Sequence, residues 1–201
     1  EKENEKEHEK EQELHRWTMF NRNHNSGATG NQERGFSLIE LLVVVTIILI
    51  IAAIAIPNLL RARMVANQGA AVSNIRTITS AAIVYSSTYG DGFPPDLPTM
   101  GGAGAPNCNG ALLLDETLTV PPFRKSGYTF NFVPQGPAIA NPPPSCGAAG
   151  FNAFLTTATP VVFGQTGQTS YCSTEPGVIH LDVTGATPAS PAACIALPML
   201  Q

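Results

Sequence analysis

The stretch GFSLIELLVV, residues 35–44, decides the fold of this chain because it opens a long apolar run with one acid inside it. The twenty-one residues from Phe36 to Ile56 carry a single charged side chain, that of Glu40. At a rise of about 1.5 Å per residue, a helix over this run is about 30 Å long, the thickness of the hydrocarbon core of a bilayer. A carboxylate at the centre of such a helix costs about 2.5–3.5 kcal/mol on insertion scales, so we expect Glu40 to be present for a functional reason.

The helix is predicted to continue beyond the apolar run, from about Phe36 to Tyr89. Its first half is apolar all round, and its second half carries one stripe that can bury against a domain. Pro57 is expected to bend the helix, and the glycines and prolines of residues 90–95 to end it. The stripe consists of apolar residues that recur mostly three or four positions apart, namely Val65, Val72, Ile75, Ile78, Ala82, Tyr85 and Tyr89.

Beyond the helix the pattern favours an α+β fold, with three or four short antiparallel strands packed on the stripe. Strands are predicted over residues 127–133, 152–163, 170–172 and 178–182, and Glu175-Pro176-Gly177 is predicted to form a hairpin turn between the last two. Residues 91–120 and 134–150 are predicted to be long loops, and the Pro/Ala/Thr-rich tail from Gly185 to be irregular.

All four cysteines follow the apolar run, and an even count in a Gly/Pro-rich region after a membrane segment indicates an exported, oxidised domain. Three pairings are possible, and the sequence does not decide between them. We favour Cys108–Cys146 with Cys172–Cys194, which closes sequential loops. The competing interpretation is four buried free thiols.

The composition argues against a nucleic-acid-binding protein. Charged residues make up 13% of the chain, and from Phe36 onward five basic residues stand against seven acidic ones, so no basic patch is available for nucleic acid.

Residues 1–18 are a charged low-complexity run that we interpret as a wrongly assigned start or a cloning remnant, since Met19 is the first methionine. Residues 19–35 are polar.

Residues 34–64 resemble the N-terminal signature of the type IV pilin superfamily, which includes the pseudopilins of type II secretion. The resemblance rests on a polar leader ending in Gly35, on Phe36 and on Glu40 as the fifth residue after the leader, and it extends to Pro57 and the Asn58-Leu59-Leu60 that follows. It implies a pilin-like fold: a membrane and filament-core helix over residues 36–57 and an exported headgroup over residues 58–201.

The resemblance also implies a processing and assembly path. A prepilin peptidase in the cytoplasmic membrane would cleave after Gly35 and N-methylate Phe36, with the leader in the cytoplasm. Glu40 of one subunit would meet the amine of Phe36 in the next, and the apolar helices would leave the lipid to bundle into an extracellular or periplasmic filament. The implied partners are copies of the chain, the peptidase, an assembly platform in the membrane and membrane lipid, with no cofactor.

Three alternatives remain. The chain could be a pilus subunit or a secretion pseudopilin. The resemblance implies a calcium-binding acidic loop near the C-terminus of a major secretion pseudopilin, and the tail after Asp182 has no acid, so we favour the pilus subunit. The chain could also be a signal-anchored extracytoplasmic domain, with Ala53-Ile54-Ala55 resembling a signal-peptidase site. No catalytic motif is found, so we expect no enzyme: His180 is expected to be a packed or surface residue, and the four acids of the loops, Asp91, Asp96, Asp115 and Glu116, to be solvated rather than to bind a metal.

Overall fold

The computed structural model describes residues 36–140, 143, 146 and 149–200, so the predicted leader lies outside the described residues. The chain forms two compact units, Glu1–Ile48 and Leu49–Gln201. The second unit contains the sheet and the hydrophobic core.

The first element, α1, runs as one helix from Leu38 to Tyr89 and confirms the predicted long helix. It begins where the amides of Glu40 and Leu41 each donate to the carbonyl oxygen of Ser37 at 3.1 Å. It ends at Gly90, whose φ of 67° lies in the left-handed region that glycine adopts at low cost. The helix continues through Pro57, and the bend at this residue stays a prediction.

The second half of α1 buries one face. Ile75, Ile78, Ala82 and Tyr85 are buried as the stripe predicts. Val65 is 67% exposed, so its inclusion in the stripe was wrong. The headgroup contacts the helix two residues later, on the side of Asn67, whose side-chain amide donates to the carbonyl oxygen of Thr166 at 3.0 Å.

The described residues form a five-stranded antiparallel sheet in which each strand pairs with the next along the chain. The sequence predicted three or four strands, and the one it missed is only two residues long, too short to show a period of two. The strands are β1 Arg124–Lys125, β2 Tyr128–Ala138, β3 Phe151–Pro160, β4 Ser170–Thr174 and β5 Ile179–Asp182.

Three segments predicted to be loops or irregular contain regular structure. β2 continues across Pro134, Gly136 and Pro137, and its register with β3 shifts between Gln135 and Ala138. A bulge of this kind is where a strand tolerates proline, because the ladder is already interrupted there. Short helices also occur within residues 91–120 and in the tail: α2 Leu97–Met100, α3 Glu116–Thr119 and α4 Pro191–Ile195.

The core lies between the stripe of α1 and the sheet. Phe154 of β3 is its centre: its ring stacks on that of Phe132 with centroids 5.2 Å apart and meets that of Phe93 edge-on at 4.8 Å. Aromatic pairs in these arrangements add about 0.5–1.5 kcal/mol beyond the area that they bury. The core therefore holds the loop after α1, through Phe93, against the sheet.

Candidate assembly site

The predicted assembly residues lie at the start of α1. Glu40 is in the first turn of the helix, where unpaired backbone N–H groups give a partial positive charge that favours a carboxylate. Phe36 is 82% exposed and Glu40 is also exposed. Among the described residues, none covers this end of the helix.

The apolar half of α1 is exposed on every side. Its most apolar window of 18 residues has a mean hydropathy of 3.2, and none of that window is buried. Among the described residues α1 is the one helix long and apolar enough to cross a membrane, by length and composition. Each Leu, Ile or Val that moves from water to an apolar surrounding contributes about 1.5–3 kcal/mol, so this half of the helix requires either lipid or other protein around it.

The need for an apolar surrounding also explains why the apolar half of α1 is helical. Residues 43–48 read VVVTII, a β-branched run with weak intrinsic helix propensity in water. In lipid or in a dry protein bundle every backbone polar group must be satisfied within the segment, and a helix does so. The environment, rather than the local propensity, therefore selects the helix here.

Two disulfides close the headgroup. Cys108 is bonded to Cys146, and Cys172 to Cys194, which are the pairings that the sequence favoured. No cysteine is free. The first bond lies in a small cluster with Tyr85 near the end of α1, and the second joins β4 to α4 in the tail.

Tyr85 links α1 to the first disulfide, a contact that sequence reasoning missed. Its hydroxyl donates to the carbonyl oxygen of Cys108 at 2.7 Å, and its ring is buried. Burial raises the pKa of Tyr85 to about 12, and the nearby carboxylate of Asp91 adds to the shift. Only the helical spacing of Tyr85 in the sequence indicated that it would face the headgroup.

The acids predicted to be solvated have separate roles in the structure. Asp96 caps α2 by accepting from the amide of Thr99 at 2.9 Å. Asp115 pairs with Lys125, and the hydrogen bonds from Lys125 and Thr117 lower the pKa of its carboxyl. Asp91 is fully buried, contrary to the prediction, and neither of its carboxylate oxygens has a hydrogen-bond partner among the described residues.

His180 is a packed strand residue, as the sequence suggested. It lies in β5, it is buried, and its Nδ1 is 2.7 Å from the carbonyl oxygen of Leu197. A carbonyl oxygen can only accept, so Nδ1 carries the proton in this contact. Over the part of the chain that the structure describes, no three residues of the types His, Cys, Asp and Glu come together in a way that could hold a metal ion.

The fold and the exposed helix define a class: a pilin-like protein, in which one long helix with an acid near its apolar start carries a small antiparallel sheet. Residues 30–56 match a family model described as the prokaryotic N-terminal methylation motif. The chain therefore carries the N-terminal motif of the type IV pilin and type II secretion pseudopilin superfamily.

Two characterised relatives agree with this class. The chain is 34% identical over 145 residues to the type IV major pilin protein PilA of Myxococcus xanthus (strain DK1622), covering 62% of this chain and 64% of that protein. It is 37% identical over 59 residues to the type II secretion system core protein G of Pectobacterium carotovorum subsp. carotovorum, covering 29% of this chain and 38% of that protein. The chain thus spans less than two thirds of either relative. No solved structure matches it.

Proposed function

We propose that this chain is a structural subunit of a type IV pilus-like filament, made as a prepilin and polymerised through its apolar helix. The observation that carries the proposal is the exposed apolar half of α1 with Glu40 in its first turn, within the residues 30–56 that match the methylation motif. A helix of this kind satisfies its apolar surface first in the membrane and then against copies of itself. The chain has no catalytic role in this scheme.

The proposed processing leaves a charge next to the helix start. Cleavage after Gly35 creates an amine on Phe36, and N-methylation keeps this amine protonated. In a filament, the amine of one subunit pairs with the carboxylate of Glu40 in its neighbour. Two charges that leave water together gain little net free energy, so the pair sets the register between subunits more than it stabilises them.

Before assembly the subunit is anchored in the cytoplasmic membrane, with its leader in the cytoplasm and its headgroup outside. The two disulfides support an oxidising location for the headgroup, because such bonds persist outside the cytosol. Its partners at this stage are the prepilin peptidase, an assembly platform and lipid.

A second candidate is a pseudopilin of a type II secretion system. The observation in its favour is the identity to secretion core protein G, which falls in a shorter alignment than the one to the major pilin. The long alignment and the acid-free tail after Asp182 favour the pilus subunit.

The test is the intact mass and N-terminal sequence of the protein from membrane and sheared-surface fractions of cells that make it together with a prepilin peptidase. We expect a chain that starts at N-methyl-Phe36 and that, with its two disulfides formed, is four hydrogen atoms lighter than its reduced form. Gly35→Leu is the control, and it should keep the leader. A chain that keeps residues 19–35 beside an active peptidase, or that starts after Ala55, would contradict the proposal. Recovery in the sheared fraction favours a surface pilus over a short secretion filament.

A further inference from the structure

The loop between β3 and β4 exposes consecutive apolar side chains. Val161, Val162 and Phe163 follow the last residue of β3, and their exposed fractions are 37%, 43% and 57%. Val183, just after β5, is also exposed, and Phe163 packs beside Gly185, where an added Cβ would lie 2.5 Å from its ring. The three consecutive side chains of the loop form one patch, which we call the apolar tip: Val161, Val162 and Phe163.

The loop that carries the apolar tip is held by hydrogen bonds within itself. The amide of Thr166 donates to the carbonyl oxygen of Val162 at 2.9 Å, and the amide of Val162 donates to the hydroxyl of Thr166 at 3.0 Å. The amide of Gly164 donates to the carbonyl oxygen of Gly167 at 2.8 Å. These bonds satisfy the backbone inside the loop and turn its apolar side chains outward.

The loop lies at the end of the headgroup that is closest to the apolar half of α1. β3 begins at Phe151, which pairs with Phe93 beyond the end of α1, and it ends at Pro160 beside the loop. Thr166 in the loop then contacts Asn67 of α1. The turn between β4 and β5 lies farther along the helix: Gly177 faces Thr79, twelve residues or about 18 Å beyond Asn67.

The apolar tip is therefore close to the level at which α1 leaves a bilayer. Leu59 and Leu60 are exposed apolar residues, and Arg61 is the first charged residue after Glu40. Asn67 lies six residues beyond Arg61, a rise of about 9 Å. Since the polar layer on each side of a bilayer is about 5–8 Å thick, the loop that contacts Asn67 lies at its outer edge.

The charges around the loop suit a lipid surface. Residues 161–169 include no charged side chain, and Arg61 and Arg63 are exposed between the loop and the apolar helix, where lipid phosphates would pair with them. Asp182 is the acid next to the apolar tip. Its carboxylate accepts from the amide and hydroxyl of Thr184, and the hydroxyl contact lowers its pKa.

We propose that the apolar tip is a second membrane contact of the unassembled subunit, resting in the polar layer of the bilayer while α1 crosses it. The inference rests on the proposed membrane anchoring of the chain. A lipid surface is favoured over a second copy of the chain because the loop contacts α1 only about 9 Å beyond Arg61, where the helix leaves its apolar half, and because Arg61 and Arg63 would pair with lipid phosphates. The contact fixes the tilt of the headgroup before assembly.

The experiment uses the full chain with Trp17→Phe, so that one introduced tryptophan is the only one. Val162→Trp places the reporter in the apolar tip, and Val178→Trp is the matched control, since Val178 is 40% exposed but lies in the distant β4–β5 turn. Phe163→Trp, a smaller change in shape, is a second reporter should Val162→Trp fail to fold. Each protein is reconstituted in vesicles of equal parts phosphatidylcholine and phosphatidylglycerol, some with a nitroxide on the lipid headgroup.

We expect the emission of Val162→Trp to shift to the blue and to be quenched by the headgroup nitroxide, while that of Val178→Trp is not. Equal, weak quenching of both reporters in protein that floats with the vesicles would overturn the lipid contact and leave the anchoring intact. Shielding of Val162→Trp from aqueous iodide without nitroxide quenching would also overturn it, in favour of a second copy. Failure of the chain to float with the vesicles would instead refute the anchoring itself.

Discussion

The hydroxyl of Tyr85 donates to the carbonyl oxygen of Cys108 at 2.7 Å, which ties the last turns of α1 to the loop closed by the first disulfide. In the proposed assembly, α1 enters the filament core and the headgroup lies on the filament surface, so this contact connects the two. We expect Tyr85→Phe to destabilise the protein by about 1–2 kcal/mol, because it leaves a buried carbonyl unpaired. Urea unfolding of the detergent-solubilised chain measures the change.

The control for this variant is Tyr89→Phe. Tyr89 is half-buried, and its ring lies tilted against that of Tyr85 with centroids 4.9 Å apart. Removing its hydroxyl should change the free energy of unfolding by less than about 0.5 kcal/mol. Equal effects of the two variants would mean that the bond to Cys108 contributes nothing.

Alkaline pH should destabilise the headgroup through its buried tyrosines. Burial raises the pKa of Tyr85, Tyr128 and Tyr171 above that of an unfolded tyrosine, so the folded state holds these protons more tightly. The contribution of these protonated tyrosines to the free energy of unfolding is complete below about pH 10, the pKa of an unfolded tyrosine. It is lost as the pH rises through the pKa in the folded state, which is about 12 for Tyr85. Urea midpoints should fall above about pH 10. Tyr85→Phe should reduce the slope, and an unchanged slope would remove Tyr85 as a cause.

The second disulfide should hold the tail against β5. The amide of Leu181 donates to the carbonyl oxygen of Pro198, and that of Leu200 to the carbonyl oxygen of Ile179. Replacing Cys172 and Cys194 together by alanine should cost about 3–4 kcal/mol from loop entropy and speed hydrogen exchange at these two amides. Replacing Cys108 and Cys146 instead should leave the exchange of both amides slow. Fast exchange in both double variants would mean that the tail is not held locally.

Gly150 should tolerate no side chain. A Cβ there would lie 1.7 Å from the carbonyl oxygen of Asp91, so Gly150→Ala should destabilise the protein by about 3 kcal/mol or more. Gly69 is the matched control, since it is exposed within α1 and an added Cβ meets nothing within 4 Å. Gly69→Ala should stabilise the helix by about 0.5–1 kcal/mol. Thermal unfolding of both variants checks the pair, and similar values would refute the close approach.

Glu40→Ala should leave the subunit in the membrane and block or disorder polymerisation, because the charge that sets the register is lost. Removing an acid from an apolar helix makes its insertion easier, so the membrane fraction should not fall. Glu175→Ala, a change of the same type at an exposed site in the headgroup, should leave filaments unchanged. Electron microscopy of sheared material provides the readout, and normal filaments from Glu40→Ala would exclude the pairing role.

The elements that the sequence predicted correctly are those with a regular period over many residues. The end of α1 was predicted at Tyr89, where it is observed, and its start at about Phe36, two residues before the observed start, since the apolar run and the glycine after Tyr89 mark the two ends. β2 was predicted only in part, because the alternation ends at Val133 and the strand continues through prolines that pairing with β3 accommodates. β1 has two residues and leaves no pattern at all.

Contacts between distant segments could not be predicted from the sequence. Asn67 and Thr166 are 99 positions apart, and neither residue lies in a motif that indicates the other. Asp91 lies in a Gly-rich turn and was predicted to be solvated. In the structure it is buried, because Phe93 two residues later packs beside Phe154 in the core. At the assembly site, the sequence placed Glu40 near the apolar start of the helix, and the structure has it in the first turn, a position that depends on local geometry alone.

Each strand of the sheet pairs only with the strand made just before or after it, from β1 to β5 in order. In the proposed export of the headgroup, each strand after β1 thus emerges next to a partner that is already outside, and no strand has to wait for a distant one. Folding of this kind is built from short loop closures, which are fast and leave few unpaired edges exposed at any moment. The headgroup can therefore fold vectorially, from the membrane outward, while its anchor is already in place.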